Sequence, residues 1–113
     1  MTFQRLTALV VDDQELMRSV TVNQLRAMGW GKVLSAKNGA DGLKLMRAQK
    51  VDAVLSDWNM PVMNGIDFLR RLRKMSGGDQ PKVVFCTTEN DLAHIQEALS
   101  AGANEYIMKP FDS

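Results

Sequence analysis

The chain has 113 residues, 45% hydrophobic and 24% charged, with 14 basic against 13 acidic side chains and a formal net charge of +1. That length supports one domain and leaves little room for a second, and the composition argues against a disordered chain or a fibre. Near-neutral charge removes any sequence-independent pull on nucleic acid or on an anionic membrane surface. The longest largely apolar run, Leu6 to Val11, ends at two aspartates and is far too short to span a bilayer. Cys86 is the sole cysteine, so no internal disulfide can form and a reducing, cytoplasmic setting is expected.

Leu6 to Val11 is rich in β-branched residues, enough for one buried strand and too short for a helix. From Gln14 the period changes. Met17, Val20, Leu25 and Met28 recur at helical spacing, and Gly29 stands where a C-terminal cap is wanted. Lys32 to Ala36 reads as a second, weaker strand. Asn38-Gly39 marks a turn, and Leu43, Leu45 and Met46 form a second helix reaching Gln49. Val51 to Ser56 gives a third strand closing on Asp57.

Met60-Pro61 requires an extended loop, because proline restricts the residue before it. Asn64-Gly65 opens a third helix with Ile66, Leu69, Leu72 and Met75 on one face, stopped by Gly77-Gly78. Lys82 to Cys86 is a fourth strand. Asn90 suits the N-cap of a fourth helix carrying Leu92, Ile95 and Leu99, closed by Gly102. Glu105 to Met108 reads as a fifth strand, ended by Lys109-Pro110. Met17, Met28, Met46 and Met75 have core spacing, whereas Met60 and Met63 sit in a loop and are expected at the surface. The basic run Arg70, Arg71, Arg73 and Lys74 reads as a solvated helix face, and His94 as a surface helix residue.

Strands alternating with helices of this length predict an α/β protein with a parallel sheet covered on both faces. In such sheets ligands bind at the carboxyl ends of the strands. Here the first strand ends at Asp12-Asp13, the third at Asp57, the fourth at Thr87 and the fifth at Lys109. Singly, each has a structural reading: a turn, a helix cap or a solvated strand end. Jointly, they deliver acids, a hydroxyl and an ammonium to one rim. Three carboxylates in one place repel each other and call for a cation. Oxygen ligands alone suit Mg²⁺ and leave positions for a phosphate, while His94 and Cys86 are isolated and lack zinc-ligand spacing. With the ion and Lys109 neutralising charge and Thr87 donating a hydrogen bond, an aspartate can act as nucleophile toward phosphorus. Phosphoryl transfer onto an aspartate is the reaction class this constellation predicts.

Val10-Val11-Asp12-Asp13, Ser56-Asp57-Trp58-Asn59-Met60-Pro61 with Asn64-Gly65, then Thr87 and Lys109-Pro110-Phe111, together resemble the response-regulator receiver family over nearly the whole chain, and within it the single-domain chemotaxis regulators. The resemblance implies one receiver domain over residues 1–113, flavodoxin-like and doubly wound, with five parallel strands in the order 2-1-3-4-5. It makes Asp57 the phosphoacceptor, served by a histidine kinase or phosphotransfer protein. Asp13, Asp57 and the backbone carbonyl of Asn59 match the Mg²⁺ ligands, with Asp12 acting through a water. Lys109 matches the family lysine that pairs with the acidic site and then with the phosphoryl group, ahead of a cis Lys109-Pro110 bond. Thr87 and Tyr106 match the switch pair, and Asn59 and Glu89 flank the acceptor as groups that tune dephosphorylation. Thr88 departs from the family's usual smaller residue. The implied output is a changed protein-binding surface, with the flagellar motor one candidate target. Catalysis is limited to the protein's own phosphorylation and autodephosphorylation, without direct nucleic-acid binding or membrane insertion.

Other chemistries fit less well. A P-loop hydrolase needs a glycine-rich loop ending in Lys-Ser or Lys-Thr where two aspartates stand. The same aspartates would repel a flavin phosphate, and 113 residues leave no cap for a small-molecule phosphatase. The residues leave open a receiver-like interaction module and an N-terminal receiver fragment of a larger regulator. Asp112 and Ser113 are N-cap types, and the family continues with a fifth helix. Its apparent absence is expected to leave an apolar patch for a partner or a second copy to cover.

Overall fold

The computed structural model describes residues 5–57, 63–75, 81–87 and 92–108. Strand and helix alternate along them: β1 (Thr7–Val11), α1 (Glu15–Ala27), β2 (Lys32–Ala36), α2 (Gly39–Ala48), β3 (Ala53–Ser56), α3 (Gly65–Lys74), β4 (Lys82–Thr87), α4 (Leu92–Ser100) and β5 (Glu105–Met108). The five strands form one sheet in the order β2-β1-β3-β4-β5, every pairing parallel. That is the expected doubly wound architecture. The question of a fifth helix falls on residues outside those described.

Alternate strand residues face opposite sides of a sheet. Leu9, Val11, Val54, Val83 and Phe85 join Leu43 of α2, Phe68 and Leu72 of α3, and Ala98 of α4 in the larger core. Ala8 and Val10 meet Val22 and Leu25 of α1 on the other face, with Trp30, Val33 and Leu55 partly buried beside them. Gly42 explains the close seat of α2: a Cβ there would stand 3.1 Å from the Phe68 ring and 3.2 Å from Val11. Gly29 and Gly102 have φ of +98° and +109°, the left-handed geometry expected after α1 and α4.

Several local expectations are corrected. Asn38 is the N-cap of α2, its side chain accepting the Asp41 N–H, rather than part of a free turn. Asn64 caps α3 in the same way through Asp67, which agrees with the expected opening of that helix at Asn64-Gly65. On α1 the buried stripe is Thr21, Val22 and Leu25, while Val20 and Met28 are exposed. The displacement has a simple cause. Thr21 can be buried because its hydroxyl donates to the Met17 carbonyl at 3.0 Å, so the stripe does not consist of large apolar residues alone. Met63 is partly buried against the larger core, next to Gly39. Nor is the basic run of α3 wholly solvated: Arg70 pairs with Glu97 of α4, and Arg73 binds the carbonyls of Pro81 and Gly102.

Candidate functional site

The site begins with backbone. Asp12 follows β1 directly, and its N–H donates to the Ala36 carbonyl at 3.1 Å, prolonging the β1–β2 ladder. The Asp57 N–H donates to the Val11 carbonyl at 3.0 Å and so prolongs the β1–β3 ladder. Two adjacent central strands therefore end side by side and present their next residues at the same rim.

Further bonds fix these two acids. One carboxylate oxygen of Asp12 accepts the Gln14 N–H at 2.9 Å, at the start of α1, where the Gln14 side chain makes no capping bond. The Asp12 carbonyl accepts a 2.7 Å bond from Nη1 of Arg18. Buried Ser56 donates its hydroxyl to the Asp57 carbonyl at 2.9 Å. The structural role of an Asp after a strand and its role in a site thus coexist in Asp12.

Asp12, Asp13 and Asp57 each offer a carboxylate oxygen, and these oxygens lie within 4.8 Å of one another. Burial is graded across them: Asp12 is only 4% exposed, Asp57 is intermediate and Asp13 is exposed. The cluster is thus anchored in the protein on one side and open to solvent on the other. Two like charges about 4 Å apart cost about 1 kcal/mol in water and about 4 kcal/mol in the poorer screening near a protein surface. A bound cation relieves that repulsion. The three acids are hard oxygen donors without imidazole or thiolate among them, which fits Mg²⁺ and does not fit zinc.

Thr87 is the last residue of β4, and Tyr106 lies on β5 in register with Phe85, which itself pairs with Ser56. The ends of β4 and β5 therefore continue the rim that carries Asp57. Asn59, Glu89 and Lys109 lie outside the described residues, as do Trp58 and Thr88. Sequence reasoning missed Arg18 and Ser56. A signal for Arg18 existed: helical side chains lean toward the N-terminus, so a long basic residue in the second turn of α1 reaches back to the loop before it.

The model of the response regulator receiver domain matches residues 8–113. Chemotaxis protein CheY1 of Helicobacter pylori is 40% identical over 104 residues, covering 91% of this chain and 84% of that protein. Among solved structures, chemotaxis protein CheY4 of Vibrio cholerae superposes with a TM-score of 0.89 at 31% identity, over 95% of this chain and 88% of that one. A probable two-component response regulator/GGDEF domain protein superposes with a TM-score of 0.88 at 28% identity, over 96% of this chain and 45% of that one. The chain belongs to the response regulator receiver family, whose members are signalling proteins of two-component systems rather than classical enzymes. No helix among the described residues is long and apolar enough to cross a membrane.

Proposed function

We propose that this protein is a phosphorylation-activated switch of chemotaxis type, accepting a phosphoryl group on Asp57 from a histidine kinase or phosphotransfer protein. The observation that carries the reading is the meeting of Asp12, Asp13 and Asp57 within 4.8 Å at the carboxyl rim of the sheet. Asp13, Asp57 and the Asn59 carbonyl would hold Mg²⁺, with Asp12 contributing through a water. Bound there, the ion would supply positive charge against the phosphoryl oxygens. An Asp57 carboxylate oxygen attacks phosphorus as the P–N bond of the donor phosphohistidine breaks, and the imidazole nitrogen keeps the electron pair and takes up a proton. Lys109 pairs with the phosphoryl group and Thr87 donates a hydrogen bond to it. Hydrolysis returns the carboxylate and inorganic phosphate, at a rate tuned by Asn59 and Glu89.

Thr87 and Tyr106 form the switch, changing the surface around α4 and β5 that a downstream protein reads. One charge-assisted hydrogen bond contributes ~1.5–3 kcal/mol. Moving a population from about 1% to about 99% active needs roughly 5.5 kcal/mol, so partner binding completes the shift. The chemotaxis assignment rests on likeness to two chemotaxis proteins, and a cytoplasmic location goes with it. The likeness to a longer GGDEF regulator supports a second reading, in which this receiver is part of a larger protein.

Acetyl phosphate with Mg²⁺ tests the chemistry. The expected result is a mass gain of one phosphoryl group, abolished by Asp57→Asn. No gain from acetyl phosphate or from a phosphorylated kinase would overturn it in favour of a pure interaction module.

A further inference from the structure

Arg18 has no part in the chemistry proposed above, yet it touches the site. Its guanidinium leaves the second turn of α1 and donates to the Asp12 carbonyl at 2.7 Å. A charge-assisted bond of that length is among the stronger ones available to a backbone carbonyl. Its consequence falls mainly on the next residue. The Asp12–Asp13 peptide unit is planar, so fixing the carbonyl oxygen of Asp12 also fixes the nitrogen and Cα of Asp13. Asp13 needs this. Asp12 is buried and anchored by the Ala36 and Gln14 bonds, and Asp57 by the Val11 and Ser56 bonds, whereas Asp13 is exposed.

We infer that Arg18 is a positioning residue of the acidic site: through the Asp12 carbonyl it holds Asp13 in the geometry that selects Mg²⁺. The inference rests on the metal-binding reading proposed above. Mg²⁺ demands near-ideal octahedral geometry, whereas Ca²⁺ accepts irregular oxygen ligation at longer distances. A loosened Asp13 therefore penalises Mg²⁺ more than Ca²⁺. The guanidinium charge works in the opposite direction. Removing a cation bonded to Asp12 would by itself tighten both ions alike, so the two effects are separable.

Calorimetric titration of Mg²⁺ and Ca²⁺ into the wild type, Arg18→Gln and Arg18→Lys measures the difference. Outer-shell partners typically control metal affinity by about 10- to 100-fold. Arg18→Gln is expected to weaken Mg²⁺ about tenfold and Ca²⁺ less, lowering the Mg²⁺ preference. Arg18→Lys, which keeps a charged donor, should recover part of it. Thermal unfolding in chelator reports stability separately. Should Arg18→Gln lower the melting temperature while leaving both affinities and their ratio unchanged, Arg18 is structural only and the inference fails. Equal tightening of both ions overturns it too, in favour of a purely electrostatic role. Wild-type protein that bound neither ion would overturn the metal-site reading and this inference with it.

Discussion

The two rims of the sheet use polar residues in opposite ways. At the amino end, Arg73 of α3 reaches across to the carbonyls of Pro81 and Gly102 and to the Asn104 side chain. Asn104 in turn accepts the Val83 N–H at 2.8 Å, and Asp52 accepts the Thr7 N–H at 2.9 Å. Each of these contacts joins a donor to an acceptor and ties loops to strands. At the carboxyl end, one oxygen from each of three carboxylates stands within 4.8 Å of the others, with Asp12 and Asp57 held by bonds to their backbone and to the Asp12 carboxylate. One rim therefore stabilises the fold, while the other spends part of that stability on a charge arrangement suited to a cation and a phosphoryl group.

Mutations can sharpen or break this contrast. The largest loss is expected for Arg73→Ala, about 2–3 kcal/mol, since it removes several charge-assisted bonds and leaves backbone carbonyls to find water. Denaturant unfolding measures it, and a cost below that of an ordinary surface substitution would remove the amino rim's stabilising role. Gly42→Ala should cost about 1–2 kcal/mol net, because overpacking of the added methyl against the fully buried Phe68 ring and Val11 outweighs the about 0.5–1 kcal/mol that alanine gains over glycine inside a helix. Since Val11 leads into Asp12, the same variant should also weaken Mg²⁺ binding, read by titration. Asp57→Asn is expected to act in the other direction. In chelator it should raise stability by about 1 kcal/mol through lost repulsion, and Mg²⁺ should no longer raise its melting temperature. A destabilised Asp57→Asn protein would show that the carboxyl rim is not under electrostatic strain. The smallest effect belongs to Glu97→Gln, where the partly exposed 3.0 Å pair with Arg70 should account for about 0.2–1 kcal/mol, reduced further by salt.

Much of the site was legible because its members are chemically conspicuous. Asp12, Asp13 and Asp57 follow apolar runs directly, and a parallel sheet brings strand ends to one rim. Thr87 proved to be the last residue of β4 rather than the residue after it. Element ends were less legible. The third strand starts at Ala53 instead of Val51; just before it, Asp52 meets Thr7 twice, its N–H donating to the Thr7 carbonyl and its carboxylate accepting the Thr7 N–H. Asn38 read as a turn residue because the same side-chain preference serves turns and helix caps, and only the Asp41 bond separates them.

By itself the sequence determined the alternation of strands and helices, the parallel sheet, and the acidic strand ends, because apolar period and residue type are local properties of a chain. The tertiary structure decided which oxygens meet, through the pairing of β1 with both β2 and β3. It also decided that Thr21, rather than Val20 or Met28, completes the buried stripe of α1. Those outcomes depend on distances between elements far apart in sequence or on the direction of a single side chain, which residue spacing does not encode.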